Sequence, residues 1–93
     1  MTKSDLVRAL SEQMGLSQTM AEEVVNTVFN AMTNTLTNGD RVEIRGFGSI
    51  KVKKYDGYTG RNPRTGELID VKPKKLPFFK CGRELKERVD HWR

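Results

Sequence analysis

The sequence predicts an α+β fold with two N-terminal helices, a three-stranded antiparallel sheet that carries a long β-ribbon arm, and a short C-terminal helix. Apolar residues recur about every 3.6 positions through residues 1–39, and at every second position in the runs 41–45 and 49–55. Two glycine-flanked turns then divide the second half into strand-like segments. With 93 residues, the chain is expected to form a single domain.

Residues 1–39 are predicted to form a helical base of two connected helices. Thr2 or Ser4 is the expected N-cap of the first helix, and Gly15 is its expected left-handed C-cap. Ser17 is the expected N-cap of the second helix. The apolar stripe of the first helix contains Leu6, Leu10 and Met14, and the broader face of the second contains Ala21, Val24, Val25, Val28, Phe29, Met32 and Leu36.

Residues 40–55 and 76–80 are predicted to form the sheet, which we call the saddle. The run 41–45 alternates as a half-buried strand does, with Val42 and Ile44 toward the core. Gly46-Phe47-Gly48 is a predicted bend, and residues 49–55 alternate again. Residues 76–79 are expected to bring apolar bulk back to the core. Residues 81–93 are predicted to form the last helix, whose inward side chains are Leu85, Val89 and Trp92.

Residues 56–75 are predicted to form the arm, with its tip at Gly60-Arg61-Asn62-Pro63-Arg64-Thr65-Gly66. Asn62 and Pro63 suit the first two positions of a β-turn, because proline presets φ and asparagine caps its own backbone. The arm has few apolar side chains, so about 70 residues remain to build a core, which is marginal for one chain. We therefore expect an arm that is mobile until it is bound. We also expect a dimer that buries four aromatic residues between its chains: Phe29, Phe47, Phe78 and Phe79.

The formal net charge is +5, and it is unevenly distributed along the chain. Residues 1–40 carry two basic and five acidic side chains, whereas residues 41–80 carry eleven basic and four acidic ones. A localised basic field predicts a polyanionic partner. The one cysteine, Cys81, excludes a disulfide within the chain, and neither a signal peptide nor an apolar run of about 18 residues is present. We therefore expect a cytoplasmic protein without membrane association.

No pattern in the sequence is typical of an enzyme. There is no nucleophile–base pair, carboxylate dyad or metal-binding cluster, and one histidine, His91, with one cysteine does not make a metal site. We therefore expect neither a cofactor nor a small-molecule substrate.

Three motifs resemble those of the bacterial histone-like, or DNABII, family, which includes HU and integration host factor. They are Gly46-Phe47-Gly48, Gly60-Arg61-Asn62-Pro63 with Thr65-Gly66, and Phe79-Lys80 followed by Gly82 and Leu85. The resemblance covers the whole chain. Within the family, the run 41–49 and the opening Met1-Thr2-Lys3-Ser4 are most similar to the β subunit of integration host factor. Cys81 departs from the pattern, since many relatives have proline there.

The resemblance implies an intertwined dimer whose two arms reach around duplex DNA from the minor-groove side and bend it sharply. It implies that Pro63 inserts between base pairs and that Arg61, Asn62, Arg64 and Arg45 contact the minor groove. Arg41, Glu43 and Arg45 are the implied source of sequence preference. The implied phosphate contacts are Lys3, Ser4, Lys51, Lys53, Lys54, Lys72, Lys74, Lys75, Lys80, Arg83 and Lys86.

Structural explanations of the same residues stay open. Pro63 also suits a turn, the lysines suit a solvated strand face, Arg41 and Glu43 suit a charge pair, and the residues at both helix starts suit ordinary capping. The resemblance implies that the partner is double-stranded DNA and that it is bound by a homodimer or by a heterodimer with a paralogous α subunit. The alternatives are an HU-like homodimer with little sequence preference and, from another class, a polyanion- or RNA-binding scaffold. The expected location is the cytoplasm, in association with the nucleoid.

Overall fold

The computed structural model describes residues 1–91. Its helices are α1 (Lys3–Met14), α2 (Gln18–Thr37) and α3 (Arg83–His91). Its strands are β1 (Val42–Ile44), β2 (Gly48–Tyr55), β3 (Tyr58–Arg61), β4 (Leu68–Val71) and β5 (Lys74–Cys81). Strands β1, β2 and β5 form an antiparallel sheet in that order, and β3 and β4 form a two-stranded ribbon. This order confirms the predicted α+β fold.

The helices begin and end where their capping residues lie. The Thr2 hydroxyl accepts a hydrogen bond from the Asp5 amide at 3.2 Å, and the Asp5 carboxylate accepts one from the Thr2 amide at 2.8 Å. Gly15 ends α1 at φ 64°, a conformation that glycine adopts without a Cβ penalty. The Ser17 hydroxyl accepts a hydrogen bond from the Met20 amide and begins α2.

The core lies between α1 and α2 and is small. Val7, Ala21 and Val25 are its buried hydrophobic residues, and Leu6, Leu10 and Leu16 pack around them. Much of the remaining apolar face of α2 is exposed: Phe29, for example, is 41 % exposed. The predicted helical faces are therefore present, but this chain alone buries only the part of α2 against which α1 packs, while Met32 and Leu36 are half-buried on the side toward the sheet.

The ribbon continues the register of the sheet without a bulge. Tyr55 pairs with Lys74 and Tyr58 pairs with Val71, so the two strands are interrupted at the same level. Proline lacks an amide donor for the ladder, which explains the gap on the side of Pro73. Opposite it, a Cβ on Gly57 would lie 2.8 Å from the Val71 carbonyl oxygen. Residues 56–57 and 72–73, at the junction between saddle and arm, therefore form no strand pairing.

Three boundaries differ from those predicted by the sequence. β2 begins at Gly48 and β5 at Lys74, so β5 starts two residues before the predicted saddle segment 76–80. Cys81 is the last residue of β5, paired with Gly48, and is not part of the last helix. The Gly82 amide donates to the Phe47 carbonyl at 2.9 Å, which holds the chain on the sheet until α3 begins at Arg83. Trp92 lies outside the described residues.

The chain exposes far more surface than a compact monomer of its size. Its accessible surface is 8385 Å², against about 5,500 Å² expected for a compact protein of this mass. Its radius of gyration is 19.2 Å, against about 12 Å expected for this length. The projecting arm accounts for part of the excess. The uncovered faces of α2 and the saddle account for another part.

Candidate nucleic-acid interface

The register of the saddle separates its side chains into two faces. The inner face carries Val42, Ile44, Gly48, Ile50, Val52, Lys54, Lys75, Pro77, Phe79 and Cys81. The outer face carries Glu43, Ser49, Lys51, Lys53, Tyr55, Lys74, Leu76, Phe78 and Lys80. The inner face is the one toward α2, because Val52, Pro77 and Leu36 line one open cavity of about 530 Å³.

This register places the two consecutive phenylalanines of β5 on opposite faces. Phe79 pairs with Ile50 on the inner face, and its ring centroid lies 5.6 Å from that of Phe47. Phe78 pairs with Lys51 on the outer face. Phe78 therefore does not share a surface with Phe79, contrary to the grouping of all four phenylalanines in one dimer core. Leu76 is also on the outer face, so residues 76–79 do not bring all of their apolar bulk to the core.

The basic residues are also divided between the faces. Because the ribbon keeps the register of the sheet, Arg61 and Lys72 lie on the same face as the outer lysines of the saddle. This outer basic face consists of Lys51, Lys53, Lys74 and Lys80 on the saddle, Lys72 in the step between saddle and ribbon, and Arg61 on the ribbon. Asp70 on the ribbon and Glu43 on β1 are the acidic side chains of the same face. Lys54 and Lys75 oppose each other on the inner face. The eleven predicted phosphate contacts therefore do not form one surface.

The arm tip is a rigid loop with Pro63 exposed at its start. The Gly66 amide donates to the Asn62 carbonyl at 2.7 Å, and the Asn62 amide donates to the Glu67 carbonyl at 2.8 Å. The Arg64 amide donates to the Asn62 side-chain oxygen at 2.9 Å, and Gly66 has φ 73°. The loop is one residue longer than the predicted β-turn, because its inner bond spans four positions and not three. Asn62 thus caps the tip, while Pro63 projects from it.

The corner between β1 and β2 carries an ion pair and an arginine beside it. The Arg41 guanidinium donates to the Glu43 carboxylate at 2.5 Å, and this contact raises the pKa of Arg41. Arg45 is exposed in the turn that follows β1, and its side chain makes no hydrogen bond or ion pair with another residue of the range 1–91. The charge pair expected between Arg41 and Glu43 is therefore present. It leaves Arg45 as the cation of this corner that is available to a ligand.

A concave surface joins this corner to the start of α3. A cavity of about 310 Å³ lies between Arg45, Ser49, Lys80 and Gly82, with Glu43 at its edge. The two cations and the hydroxyl suit an anion such as a backbone phosphate. The N-terminus of α3 adds less, because the Gly82 amide donates to Phe47 and the Glu84 carboxylate lies beside Gly46. Within α3, Arg83 is bonded along the helix to Glu87 at 3.0 Å, while Lys86 is exposed. Among the described residues, Lys86 forms no ion pair, so its ammonium group is available to a phosphate.

The start of α1 is less suited to an anion. Asp5 bonds the Thr2 amide and lies 3.8 Å from Arg8, so a carboxylate already occupies the end of this helix. Ser4 contacts the Thr2 hydroxyl at 3.0 Å. Of the predicted phosphate contacts here, Lys3 keeps an exposed cationic side chain, whereas Ser4 is part of the cap.

Two features of the outer face and corner were not predicted from the sequence. Phe78 lies beneath a lysine, since the Lys53 ammonium is 3.6 Å from the centroid of its ring. Glu84 reaches over the corner, where its carboxylate lies 3.0 Å from the place of a Cβ on Gly46. Strict strand alternation would have separated Phe78 from Phe79, but the Glu84 contact has no local sequence signal.

Residues 1–90 match the family model described as bacterial DNA-binding protein. The chain belongs to this family. An HU–DNA cocrystal structure from Anabaena is similar at 29 % identity and a TM-score of 0.84, covering 96 % of this chain and 97 % of that one. HU from Thermotoga maritima is similar at 26 % identity and a TM-score of 0.67, covering 96 % and 98 %. The solution structure of a mutant of transcription factor 1 is similar at 28 % identity and a TM-score of 0.65, covering 98 % and 92 %.

The family confirms the resemblance to the histone-like proteins and the expectation of a DNA-binding protein that is not an enzyme. No helix within residues 1–91 is long and apolar enough to cross a membrane. The same part of the chain contains no group of three or more residues arranged to hold a metal ion.

Proposed function

We propose that this chain is an architectural protein that binds duplex DNA from the minor-groove side and bends it by inserting Pro63. The observation that carries the proposal is that Lys80, Lys51, Lys74 and Arg61 share the outer face, which ends below an exposed proline. These cations outnumber Asp70, the acidic side chain that the ribbon places on the same face. A polyanion bound along this face would therefore also contact the arm tip. The similar HU from Anabaena crystallised with DNA, which supports the same class of partner.

The tip has the physical properties that a wedge requires. Its backbone is held by three internal hydrogen bonds, so little conformational entropy is lost when it becomes ordered in a groove. Unstacking a base step costs a few kcal/mol, and contacts elsewhere must offset that cost. The outer lysines and Arg64 provide such contacts, because each phosphate that they neutralise releases counterions.

The protein acts as a dimer in this proposal. Phe29, Phe47 and Phe79 are each more than 40 % exposed in the single chain, together with Val24, Val28 and Ile44. Covering these faces with a second chain buries the excess apolar surface, and it sets two arms against one duplex. Phe78 is not part of this interface, because it lies on the outer face.

The β1–β2 corner is the proposed source of sequence preference. Glu43 forms an ion pair with Arg41. Arg45, in the turn that follows, lines the cavity of about 310 Å³ described above. This arrangement suits an arginine that enters a narrow minor groove while its neighbours hold the backbone. It favours a subunit similar to integration host factor β over an HU-like homodimer with little sequence preference. Native mass measurement of the complex purified from its own cells distinguishes the two, since the integration-host-factor-like protein would be a heterodimer.

The wedge is tested by Pro63→Ala, with energy transfer between dyes at the two ends of a duplex as the measurement. We expect a smaller bend with affinity kept within about tenfold, because the phosphate contacts remain. Pro73→Ala, the same substitution at the base of the ribbon, is the control and should retain the bend. An unchanged bend with Pro63→Ala would show that the proline only shapes the turn.

The polyanion class is tested by titration with salt. Affinity for duplex DNA should fall by orders of magnitude between about 50 and 200 mM salt. Tighter binding to RNA than to bent or nicked duplex DNA would instead favour the scaffold alternative. We propose that compaction of the nucleoid, recombination, replication and transcription are the processes served by the bend, in the cytoplasm.

A further inference from the structure

Phe78 occupies a position that burial does not explain. It lies on the outer face of the saddle, opposite Lys51, and 40 % of it is exposed. Phe79, its neighbour in the chain, makes the inner aromatic contact with Phe47. A large apolar residue in the middle of a basic face costs solubility and adds nothing to the inner core. The contact of Phe78 with Lys53 is therefore the interaction from which we infer its role.

Lys53 reaches Phe78 diagonally across the two strands. Lys53 pairs with Leu76, whereas Phe78 pairs with Lys51 two residues away along the sheet. The Lys53 ammonium nonetheless lies 3.6 Å from the ring centroid, well within the distance of about 6 Å for a cation–π contact. The long lysine side chain is thus held flat over the sheet, and its ammonium keeps donors that point away from the ring.

The same contact argues against a stacking platform for unpaired bases. A base would need the open face of the ring, and an ammonium already lies over it. Lys51, opposite the ring, adds a second positive charge to the site. The Phe78 ring is therefore better placed to contact the neighbouring ammonium groups than to stack on a base.

We propose that Phe78 is a positioning residue for duplex DNA, which holds the Lys53 ammonium where a backbone phosphate meets the saddle. A lysine that is already held loses less rotamer freedom when it binds phosphate. The inference rests on the proposed function, since it requires duplex DNA on the outer face. Beyond that function, Phe78, an uncharged residue, raises the affinity for duplex DNA by positioning Lys53.

The test is a double-mutant cycle of Phe78→Leu and Lys53→Gln, measured as duplex affinity across a salt series. Phe78→Leu should weaken binding about two- to fivefold, because the Lys53 side chain would then lose more rotamer freedom on binding phosphate, with the salt slope unchanged. Lys53→Gln should reduce the salt slope by about 1 per chain. In the Lys53→Gln background, Phe78→Leu should have no further effect, because the group that it positions is absent.

Two further variants separate positioning from packing. Phe78→Tyr keeps the ring and should keep the affinity, while Tyr55→Leu removes the other exposed aromatic side chain of the saddle's outer face and should leave the coupling intact. In the free protein, ring-current shifts of the Lys53 side chain should be seen by NMR and should disappear in Phe78→Leu. Thermal unfolding of each variant confirms that the fold is retained.

An equal loss of affinity from Phe78→Leu in the wild-type and Lys53→Gln backgrounds would overturn the inference, since the ring would then act by itself. That outcome leaves the proposed function standing if the wild type still bends duplex DNA. A wild type that neither binds nor bends duplex DNA would overturn both.

Discussion

Gly48→Ala is expected to destabilise the protein strongly, although Gly48 has an ordinary extended backbone within β2. A Cβ at this position would lie 2.6 Å from Cζ of Phe79 and 2.7 Å from the Lys80 carbonyl oxygen. Ordinary carbon–carbon contacts are about 3.5–4.0 Å, so the methyl group would overlap the ring by about 1 Å. The ring can turn away, but the carbonyl belongs to the paired strand and is held by the register.

The expected cost follows from these two contacts. Forcing an extra methyl group into a packed site costs about 1–3 kcal/mol. Turning Phe79 away also loses its tilted contact with Phe47, which contributes about 0.5–1.5 kcal/mol. The free energy of unfolding should therefore fall by about 2–4 kcal/mol, which lowers the melting temperature by about 8–32 °C for a chain of this size.

The assay is thermal unfolding followed by circular dichroism, at one fixed protein concentration because association contributes to stability. Ser49→Ala, the next residue on the outer face, is the control and should change the stability by less than about 0.5 kcal/mol. Gly48→Ala in a Phe79→Leu background should keep part of its cost, since the carbonyl clash remains. A melting temperature for Gly48→Ala within about 2 °C of the wild type would refute the steric argument.

Four further substitutions test the cap, the arm tip and the two faces of the sheet. Ser17→Ala removes the hydroxyl that accepts the Met20 amide and should cost about 1 kcal/mol in urea unfolding. Gly66→Ala, at φ 73° in open space, should strain only the arm tip by about 1 kcal/mol, so that duplex bending falls while the melting temperature does not. Lys74→Gln on the outer face should reduce the salt slope of duplex binding by about 1 per chain, whereas Lys75→Gln on the inner face should reduce it less. Equal slopes for the two lysine variants would show that both faces contact phosphate.

The helices and the order of elements were predictable because their signals are local. Thr2, Gly15 and Ser17 cap the helices as expected, since capping depends on residues within three or four positions. The strands were recognisable from their alternation, and glycine with proline marked the arm tip. Boundaries shifted by about two residues where a distant partner decides the end, as at Cys81, which stays in β5 because it pairs with Gly48.

The candidate interface was predictable in composition but not in arrangement. Sequence alone identified a basic second half and an exposed proline. On sequence grounds, Lys54 falls in the same functional set as Lys53, and Phe78 in the same set as Phe79, because these residues are adjacent in the chain and of the same type. In the structure, the two residues of each pair lie on opposite faces of the sheet.

By itself the sequence thus determined which residues form helices and strands, the positive field of the second half, and the turn at Pro63, since each depends on short-range propensity or summed charge. The tertiary structure alone decided which lysines form one surface, that the Lys53 ammonium lies over the Phe78 ring, and that Glu84 reaches the corner at Gly46. The reason is that these contacts join residues on different strands or elements. Their distances are set by strand pairing and not by position in the chain.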